Sequence, residues 1–475
     1  MKNRSNILLF TLLISVAMSA QKTKEAVLKK LDSQSEKYGS IAMKIWNLAE
    51  MGYLEEQSST LLQETLSKEG FTIKKGVANI PTAFLAEYGS GLPIIAIIGE
   101  FDALPGLSQQ AIPEKKSANG NAGHACGHHL FGTASAAAAI SVKQWMENTK
   151  LKGTIRFYGC PAEEGGGAKV YMAREGLFDD VDIALHWHPG SQNAASAAAA
   201  LANISAKFRF YGISAHAAGA PEKGRSSLDG VEAMNAMVNM MREHVPQEAR
   251  IHYVITDGGK APNVVPDYAE VYYYSRHNSR DVVRSIFNRI VKAGEGAALG
   301  TGTTMDYEII NGVHELLPNL SLQKLVHDNL SVIGGVAYSA EEKEFADKIA
   351  ITLGQTKADL DRAENIQPYK ETARAYGSTD VGDVSFVVPT VGFGTATWVP
   401  GTSAHSWQAV AAGGTSIGEK GMMVAAKTLT ATVIDLFNNQ QLIVKAKAEF
   451  NNRRGVNFIY KPLLGNRPPA LNYRK

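Results

Sequence analysis

The sequence predicts an α/β protein in which helices flank a central, mostly parallel sheet, with a smaller α+β domain inserted into the chain. Strand-like and helix-like segments alternate up to residue 202. From residue 203 to 315 the order changes to β-α-β-β-α-β, which is typical of a ferredoxin-like two-layer domain. The first pattern then resumes. Because 475 residues are too many for one compact core, we expect a larger domain in two parts, 21–202 and 316–475, interrupted by a smaller domain over 203–315.

The N-terminus has the pattern of a secretory signal peptide. Lys2 and Arg4 precede an apolar run over 7–18, and the small residues Ser19 and Ala20 follow it. We expect residues 1–20 to be removed, so that the mature protein is periplasmic or secreted. An uncleaved anchor is the alternative, but the run is short for a membrane span, and we expect no stable membrane anchor.

Composition excludes some classes of partner. The chain has 48 Lys and Arg against 46 Asp and Glu, with no long basic run, so we expect no nucleic-acid partner. The hydrophobic content of 45% is ordinary for a soluble globular enzyme.

The two cysteines, Cys126 and Cys160, are enough to form one disulfide. We instead expect Cys126 to bind metal and Cys160 to be a small packed residue.

The elements follow from hydrophobic periodicity. In the first part we expect helices within 22–70, 130–140 and 170–176, and strands over 84–88, 93–99, 154–159 and 181–185. The strand over 93–99 is continuously apolar, as expected of a strand covered on both faces. In the inserted domain we expect strands over 204–211, 250–256, 269–276 and 304–310, and helices over 226–244 and 279–299. After it we expect a strand over 387–393, a helix over 418–436 and, from Asn451, an extended strap with no chemistry in it.

A short loop, 123–129, contains the strongest chemical signal. Its sequence, Gly-His-Ala-Cys-Gly-His-His, brings together soft and borderline donors that hold zinc or other divalent transition metals. A tight turn with packed histidines is the alternative explanation when the loop is taken alone.

Polar residues that can bind metal also follow other strands. Glu163 and Glu164 precede three glycines after the strand over 154–159, and His186 and His188 follow the strand over 181–185. Ligands bind at the carboxyl edge of strands in open α/β sheets. The repeated placement therefore predicts a metal site at this edge, with either His186 or His188 as a ligand.

The donor set suits amide hydrolysis. Two metals about 3.5–4 Å apart can activate water and polarise a carbonyl, while a carboxyl group takes and returns the proton. We expect two divalent ions, zinc or manganese, and the ligands Cys126, His128, Glu164, His188 and His405. Glu163 then remains as the general base. Asp102 is the best candidate for orienting a ligand imidazole.

Several motifs, taken in order, resemble the aminoacylase/carboxypeptidase superfamily of metallohydrolases. Within its amidohydrolase branch, the chain is most similar to the aminobenzoyl-glutamate utilization type. The motifs are 99–108, 124–132, 160–167, 187–189, 212–229, 262–266 and 405–408. The resemblance implies the fold of the dinuclear zinc aminopeptidases, interrupted by a lid and dimerisation domain. It also implies hydrolysis of an N-acyl or N-aroyl amino acid.

The resemblance assigns further roles. His216 would reach into the site of the partner subunit of a homodimer to stabilise the oxyanion, and Asn263 and Arg276 would hold the substrate carboxylate. Two features of this chain depart from the branch. His129 stands where the branch generally has Asp or Asn, and the predicted signal peptide is unusual because members of the branch are generally cytoplasmic. The context Trp-His-Pro favours His188 over His186.

Two other functions remain open at this stage. A secreted dipeptidase or carboxypeptidase of the same fold would need an anionic partner for the free amino group of its substrate. A non-catalytic metal-binding protein would have no need of Glu163.

Overall fold

The computed structural model describes residues 23–374 and 377–474. The predicted signal peptide, 1–20, lies outside them. The strands are β1 (Thr72–Lys75), β2 (Phe84–Ser90), β3 (Ile94–Glu100), β4 (Leu104–Pro105), β5 (Ala122–Gly123), β6 (Gly153–Cys160), β7 (Ile183–Leu185), β8 (His188–Gly190), β9 (Ala198–Ala199), β10 (Ala202–Tyr211), β11 (Arg250–Asp257), β12 (Tyr268–His277), β13 (Thr304–Val313), β14 (Ala373–Arg374), β15 (Thr390–Val391) and β16 (Gly394–Ala396).

The helices are α1 (23–32), α2 (Ser35–Leu48), α3 (Glu56–Lys68), α4 (His128–Thr149), α5 (Ala168–Arg174), α6 (Ser227–Met241), α7 (Arg280–Thr301), α8 (Leu320–Ile333), α9 (Ala340–Thr352), α10 (Asp361–Glu364), α11 (Val381–Ser385), α12 (Trp407–Gly413), α13 (Ser416–Asn438) and α14 (Gln440–Arg454). Single 3₁₀ turns occur at Val77–Asn79, Pro221–Lys223 and Arg242–His244. None of the helices within the described ranges is long and apolar enough to span a bilayer.

The larger sheet confirms the predicted α/β architecture. Its strand order is β1-β2-β6-β3-β7-β15, and the four strands from β6 to β15 are parallel. β1 and β2 extend it with antiparallel pairing. β3 is buried from Ile95 to Glu100 because helices cover the sheet, and α4 packs directly on this strand. The carboxyl ends of β3, β6 and β7 therefore meet at one edge.

The second sheet lies in the inserted segment and is antiparallel throughout. Its order, β11-β12-β10-β13, with α6 and α7 packed on it, is the ferredoxin-like arrangement predicted from the sequence. It has its own hydrophobic core, which includes Phe208, Met234 and Ile290. A separate core gives this segment the means to act as a rigid unit.

Two expectations for the last part of the chain were wrong. Over 387–393 only Thr390–Val391 forms a strand, because the backbone N–H of Val388 still bonds the carbonyl of Val384 in a helical turn, and Pro389 ends it. The tail is not extended from Asn451, since α14 continues to Arg454 and ends before Gly455.

Candidate metal centre

The Cys/His loop places its donors by a glycine turn at the start of α4. Gly127 has φ +74°, a left-handed conformation that favours glycine. A Cβ there would lie 2.6 Å from Cβ of Pro189, so the close approach also requires glycine. This turn brings Sγ of Cys126 to 3.4 Å from Nε2 of His188 on β8.

Among the residues that the structure describes, potential ligand atoms converge in three overlapping groups, within each of which they lie no more than 4.8 Å apart. The groups are Cys126, His128 and His188; Cys126, Glu164 and His405; and Glu100, His128 and Glu163. The structure thus brings together all five predicted ligands and the predicted base. Glu100 is the addition, and its position at the end of β3 was the signal available in the sequence.

His128 provides the sharpest test of whether these residues fit a metal. Its Nδ1 donates to Oδ1 of Asp102 at 2.7 Å, so the neutral ring has a lone pair on Nε2. That Nε2 lies 3.1 Å from Oε2 of Glu100, and neither buried atom has a hydrogen-bond partner in the described part of the chain. A lone pair facing a carboxylate is unfavourable unless a cation, either a proton on the ring or a metal ion, lies between or beside them. The donor set therefore fits a divalent ion.

Electrostatics at His128 support the same conclusion. Burial alone would lower the pKa of its imidazole, but the negative charges of the neighbouring carboxylates Asp102 and Glu100 outweigh burial and raise that pKa well above its usual value. Burial raises the pKa of the Cys126 thiol, so a metal is the means by which this thiol would become a thiolate. The field that favours a proton on His128 also favours a bound cation.

The ring of His188 is oriented by its own strand. Its Nδ1 donates to the carbonyl oxygen of Pro189 at 2.7 Å, leaving Nε2 free to face the cluster. His186 is outside the three donor groups: it is half-buried against Gly392, and burial with the charges of His188 and Lys169 lowers its pKa to about 3. The structure therefore places His188, and not His186, with the other donors.

The glutamate loop, residues 162–167, is held by its main chain. The N–H of Glu164 donates to Oδ2 of Asp102 at 2.9 Å, and the N–H of Ala162, which has φ +54°, donates to Oε1 of Glu55 at 2.7 Å. Oε1 of Glu164 lies 3.0 Å from Nε2 of His405. Asp102 thus links the His128 ring to the loop that bears the glutamates.

The C-terminal tail also holds this loop, which the sequence did not indicate. The hydroxyl of Tyr473 and Nη2 of Arg474 both donate to the carbonyl oxygen of Glu164, at 3.0 and 2.6 Å. Tyr473 also packs edge-on against Tyr53, whose hydroxyl donates to the carbonyl of Gly166 at 2.8 Å. The strap expected to have no chemistry in it is therefore in contact with the backbone of a predicted ligand.

Glu163 has the properties of a proton carrier. Burial raises the pKa of its carboxyl group well above the usual value, and the negative charges of Glu100 and Glu164 raise it further. The carboxyl lies beside His128 and Glu100 without being part of the group formed by Cys126, His128 and His188. A carboxyl group in such a position can accept a proton from water and release it again.

A buried charge network below the donors was missed by sequence reasoning. Nζ of Lys169 lies 2.8 Å from Oε1 of Glu100 and 2.6 Å from Oδ1 of Asp380, and all three side chains are almost fully buried. The N–H of Lys169 also donates to Oδ2 of Asp380 at 3.0 Å. A lysine on a short helix normally predicts exposure, so no signal in the sequence pointed to this role.

Two other residues that the sequence singled out do not face the donors. His129 is buried, its Nε2 lies 3.0 Å from the carbonyl oxygen of Gly413, and burial together with the neighbouring His124 lowers its pKa, so it is neutral. Cys160 is fully buried beside Met172 and is not in a disulfide. Both side chains pack the interior.

His216 lies on the inserted domain and outside the donor groups. It is exposed, and its Nδ1 accepts hydrogen bonds from the N–H groups of Ala218 and Gly219 at 3.2 and 3.0 Å. The proton of the neutral ring is therefore on Nε2, which can act as a hydrogen-bond donor. Asn263 accepts at its carbonyl from Ala217 beside this loop, and Arg276 lies on β12, where its Nη1 reaches Oγ of Ser378 at 3.5 Å.

A cavity of about 840 Å³ opens beside the donors. Glu100 and His188 are among the residues that line it, together with Phe131, Phe393 and Trp398. Such a volume suits a small organic molecule.

The sequence match now decides the family. The model of peptidase family M20/M25/M40 matches residues 96–434. The chain belongs to this family. It is a metal-dependent hydrolase that acts on amide or peptide bonds, and the predicted superfamily is confirmed.

Relatives show how specific the likeness is. The chain is 41% identical over 467 residues to one of the subunits of the p-aminobenzoyl-glutamate hydrolase of Escherichia coli, covering 93% of this chain and 97% of that protein. It is 28% identical to the Xaa-Arg dipeptidase of Mus musculus, covering 92% and 94%. Among solved structures, an aminobenzoyl-glutamate utilization protein from Klebsiella pneumoniae shares the fold with a TM-score of 0.60 at 17% identity, covering 86% of this chain and 97% of that one.

Proposed function

We propose that this hydrolase splits an N-acyl or N-aroyl amino acid, with p-aminobenzoyl-glutamate as the first substrate to test. The observation that carries the proposal is the position of Glu163, whose carboxyl group lies against Glu100 and His128 but outside the group formed by Cys126, His128 and His188. The identity of 41% over almost the whole chain to part of a p-aminobenzoyl-glutamate hydrolase supports the choice of substrate.

Two divalent ions, zinc or manganese, would be held by Cys126, His128, Glu164, His188 and His405. When bound, such ions lower the pKa of water and polarise the scissile carbonyl. A bound pair is supported by the overlap of two donor groups at Cys126, whose sulfur belongs to both.

The residues of the chain then supply proton transfer. Glu163 takes a proton from water as the oxygen of that water adds to the amide carbon. The same proton passes to the amine nitrogen as the C–N bond breaks, giving a carboxylic acid and a free amine. Asp102 and Pro189 keep the rings of His128 and His188 in place, so that neither ring turns its protonated nitrogen to the site.

A homodimer would complete the site. β11 is an edge strand, and Tyr253, Val254 and Ile255 on it are 37–55% exposed. An exposed apolar edge favours pairing with a second copy. The free Nε2–H of His216 would then donate to the oxyanion in the partner subunit's site.

Export is a further part of the proposal and rests on the charged, apolar and small-residue segments of 1–20. N-terminal sequencing of protein from the periplasmic fraction tests it, with cleavage expected near Gln21. An intact Met1 on protein recovered from the cytosol would argue against export.

The central experiment combines elemental analysis with rates on a panel of N-acyl amino acids and dipeptides. We expect Glu163→Ala to retain metal while its turnover falls by about 10²–10⁴-fold. Cys126→Ala and His128→Ala should lose metal and activity together. If all three variants retained both, the site would be wrong; if plain dipeptides were the better substrates, the chain would be a dipeptidase.

A further inference from the structure

We infer that Arg467 is a positioning residue of this hydrolase: it attaches the C-terminal tail, residues 455–474, to the inserted domain, and the tail in turn holds the carbonyl of Glu164 at the metal centre. The inference rests on the proposed role of Glu164 as a ligand, and it adds a link between that ligand and the inserted domain. Tyr473 and Arg474 form the inner end of the link through their hydrogen bonds to the Glu164 carbonyl. Arg467 forms its outer end.

Arg467 binds the inserted domain at an irregular edge of its sheet. β13 lies at one edge of that sheet, and its register with β10 skips Ile310. Nη1 of Arg467 donates to the carbonyl oxygens of Ile309 and Ile310, the latter at 2.7 Å. Nη2 lies 3.1 Å from Oε1 of Glu308, and the Arg467 side chain is only 17% exposed. The guanidinium therefore binds main-chain acceptors at the point where the ladder of the sheet is interrupted.

The apolar part of the tail is shared between the cores of the two domains. Leu463 belongs to the core of the inserted domain and Leu464 to that of the catalytic domain, and both are buried. Gly312 on β13 permits this approach, because a Cβ there would lie 2.9 Å from Cβ of Leu463 and from the main-chain nitrogen of Leu464. Arg467 thus follows a point where the tail is packed against both domains, and its guanidinium fixes the direction in which the tail leaves β13.

Helix α5 holds the same stretch from the side of the catalytic domain. Nη1 of Arg174 donates to the carbonyl oxygen of Arg467 at 2.8 Å, and the hydroxyl of Tyr171 donates to that of Pro468 at 3.4 Å. This helix begins directly after the glutamate loop. Arg467 therefore binds the inserted domain through its side chain and the catalytic domain through its main chain.

The segment between the two ends of the link is short and stiff. Five residues separate the ends, and the first two are prolines, whose φ is fixed. The N–H of Leu471 donates to the carbonyl of Pro469 at 3.0 Å. The N–H of Tyr473 donates to that of Ala470 at 3.1 Å. Because such a segment has little slack, a displacement of the tail at Arg467 is passed on to Tyr473 and so to the glutamate loop.

The test asks whether Arg467 acts on the metal centre. We expect Arg467→Gln to bind Zn²⁺ about ten-fold more weakly in isothermal titration, because the Glu164 loop is no longer held in one position. The absorption spectrum of the Co²⁺ form should change as well, since it depends on the geometry of the ligands. With p-aminobenzoyl-glutamate, kcat should fall by about ten-fold with little change in KM. A lower free energy of unfolding with unchanged affinity and spectrum would overturn the inference.

A mutant cycle shows whether the effect passes through the tail. If it does, adding Arg467→Gln to the double variant Tyr473→Phe with Arg474→Gln should weaken Zn²⁺ binding no further. A triple variant weaker than the double variant by the full effect of Arg467→Gln would overturn the inference. Arg467→Lys keeps a positive charge facing Glu308 and should recover part of the affinity. The same cycle is made with Arg467→Lys if Arg467→Gln does not fold.

Lys461→Gln is the matched control, because Lys461 lies in the same tail and its side chain is exposed. It should leave the Zn²⁺ affinity and the Co²⁺ spectrum unaltered, and a loss equal to that of Arg467→Gln would contradict the inference. Both readouts are measured without substrate. A wild type that binds metal but cleaves none of the N-acyl amino acids would therefore count against the proposed function and not against the role of Arg467.

Discussion

Asp102 joins two parts of the metal centre, since one of its oxygens accepts from Nδ1 of His128 and the other from the main-chain N–H of Glu164. Replacing it by Asn would change one acceptor into a donor and so misorient either the ring or the loop. We expect Asp102→Asn to weaken metal binding by about 10–100-fold and to lower activity accordingly. Competition with a chelating dye measures the affinity. Asp179→Asn, at an exposed aspartate, is the control and should bind metal normally.

The buried position of Lys169 makes it essential to stability. Lys169→Met would leave Glu100 and Asp380 as uncompensated charges, and we expect the free energy of unfolding in urea to fall by about 3–5 kcal/mol. Adding Asp380→Asn should recover part of the loss, because one of the two stranded charges is removed. Lys152→Met, on the surface, should have little effect. Equal stability of the Lys169 and Lys152 variants would contradict the role of the network.

The tail contact predicts a role for the last residues in positioning the glutamates. Tyr473→Phe removes one hydrogen bond to the carbonyl of Glu164, and Arg474→Gln removes the other. We expect the double variant to bind metal more weakly and to lose kcat by about ten-fold with little change in KM. Isothermal titration with the metal alone gives the first result independently of activity. A rise in KM with unchanged kcat and affinity would point to substrate binding instead.

If His216 acts in the partner subunit's site, two different inactive variants should restore activity when they are combined in one dimer. A His216→Ala subunit and a Glu163→Ala subunit should each be inactive as homodimers. In the mixed dimer one site combines an intact Glu163 with the partner's intact His216, so roughly half of wild-type activity per dimer should return. Tagged subunits purified in two affinity steps provide the mixed dimer. If mixed dimers form and remain inactive, His216 does not act across the interface.

The buried carboxyl group of Asp383 should make the stability of the fold depend on pH, independently of any effect of pH on catalysis. Burial raises the pKa of its carboxyl to about 7, although Tyr460 and the N–H of His314 donate to it. Because the folded pKa lies above the unfolded value of about 3.9, the folded state binds the proton more strongly. The contribution to stability is full below about pH 4 and is lost as the pH rises to about 7.

The measurement is the free energy of unfolding in urea from pH 4 to 8. Relative to Asp383→Asn, the wild type should lose at most about 1.4 kcal/mol per pH unit over this range, and the two curves should run parallel above pH 7. Asp281→Asn, at an exposed position, should follow the wild type. Identical slopes for wild type and Asp383→Asn would rule out the buried carboxyl as their source.

What the sequence could predict depended on local spacing. Cys126 and His128 are two residues apart at a helix start, and Glu163 and Glu164 are adjacent at the end of β6, so the backbone alone brings each pair to the sheet edge. The split βαβ pattern of the inserted domain could also be predicted from local sequence, because each of its strands and helices has its own hydrophobic periodicity.

What was missed depended on partners distant in sequence. Lys169 contacts Asp380 across 211 positions, and Tyr473 contacts Glu164 across 309. A lysine on a short, largely apolar helix and a tyrosine in a basic tail are both expected at the surface, and no sequence pattern distinguished these buried contacts from exposure to solvent. The helical turn at Val388 was mistaken for a strand because a short apolar run fits both structures.

The donor group of Cys126, Glu164 and His405 draws its members from both sides of the inserted domain. During synthesis the ribosome adds His405 only after the whole inserted domain, and the tail residues that hold Glu164, Tyr473 and Arg474, follow later still. A growing chain therefore cannot form the complete centre, and an ion captured early would meet only part of its ligands. Since abundance as well as affinity decides which divalent metal fills a site, the compartment in which the finished chain folds sets the metal that the enzyme carries.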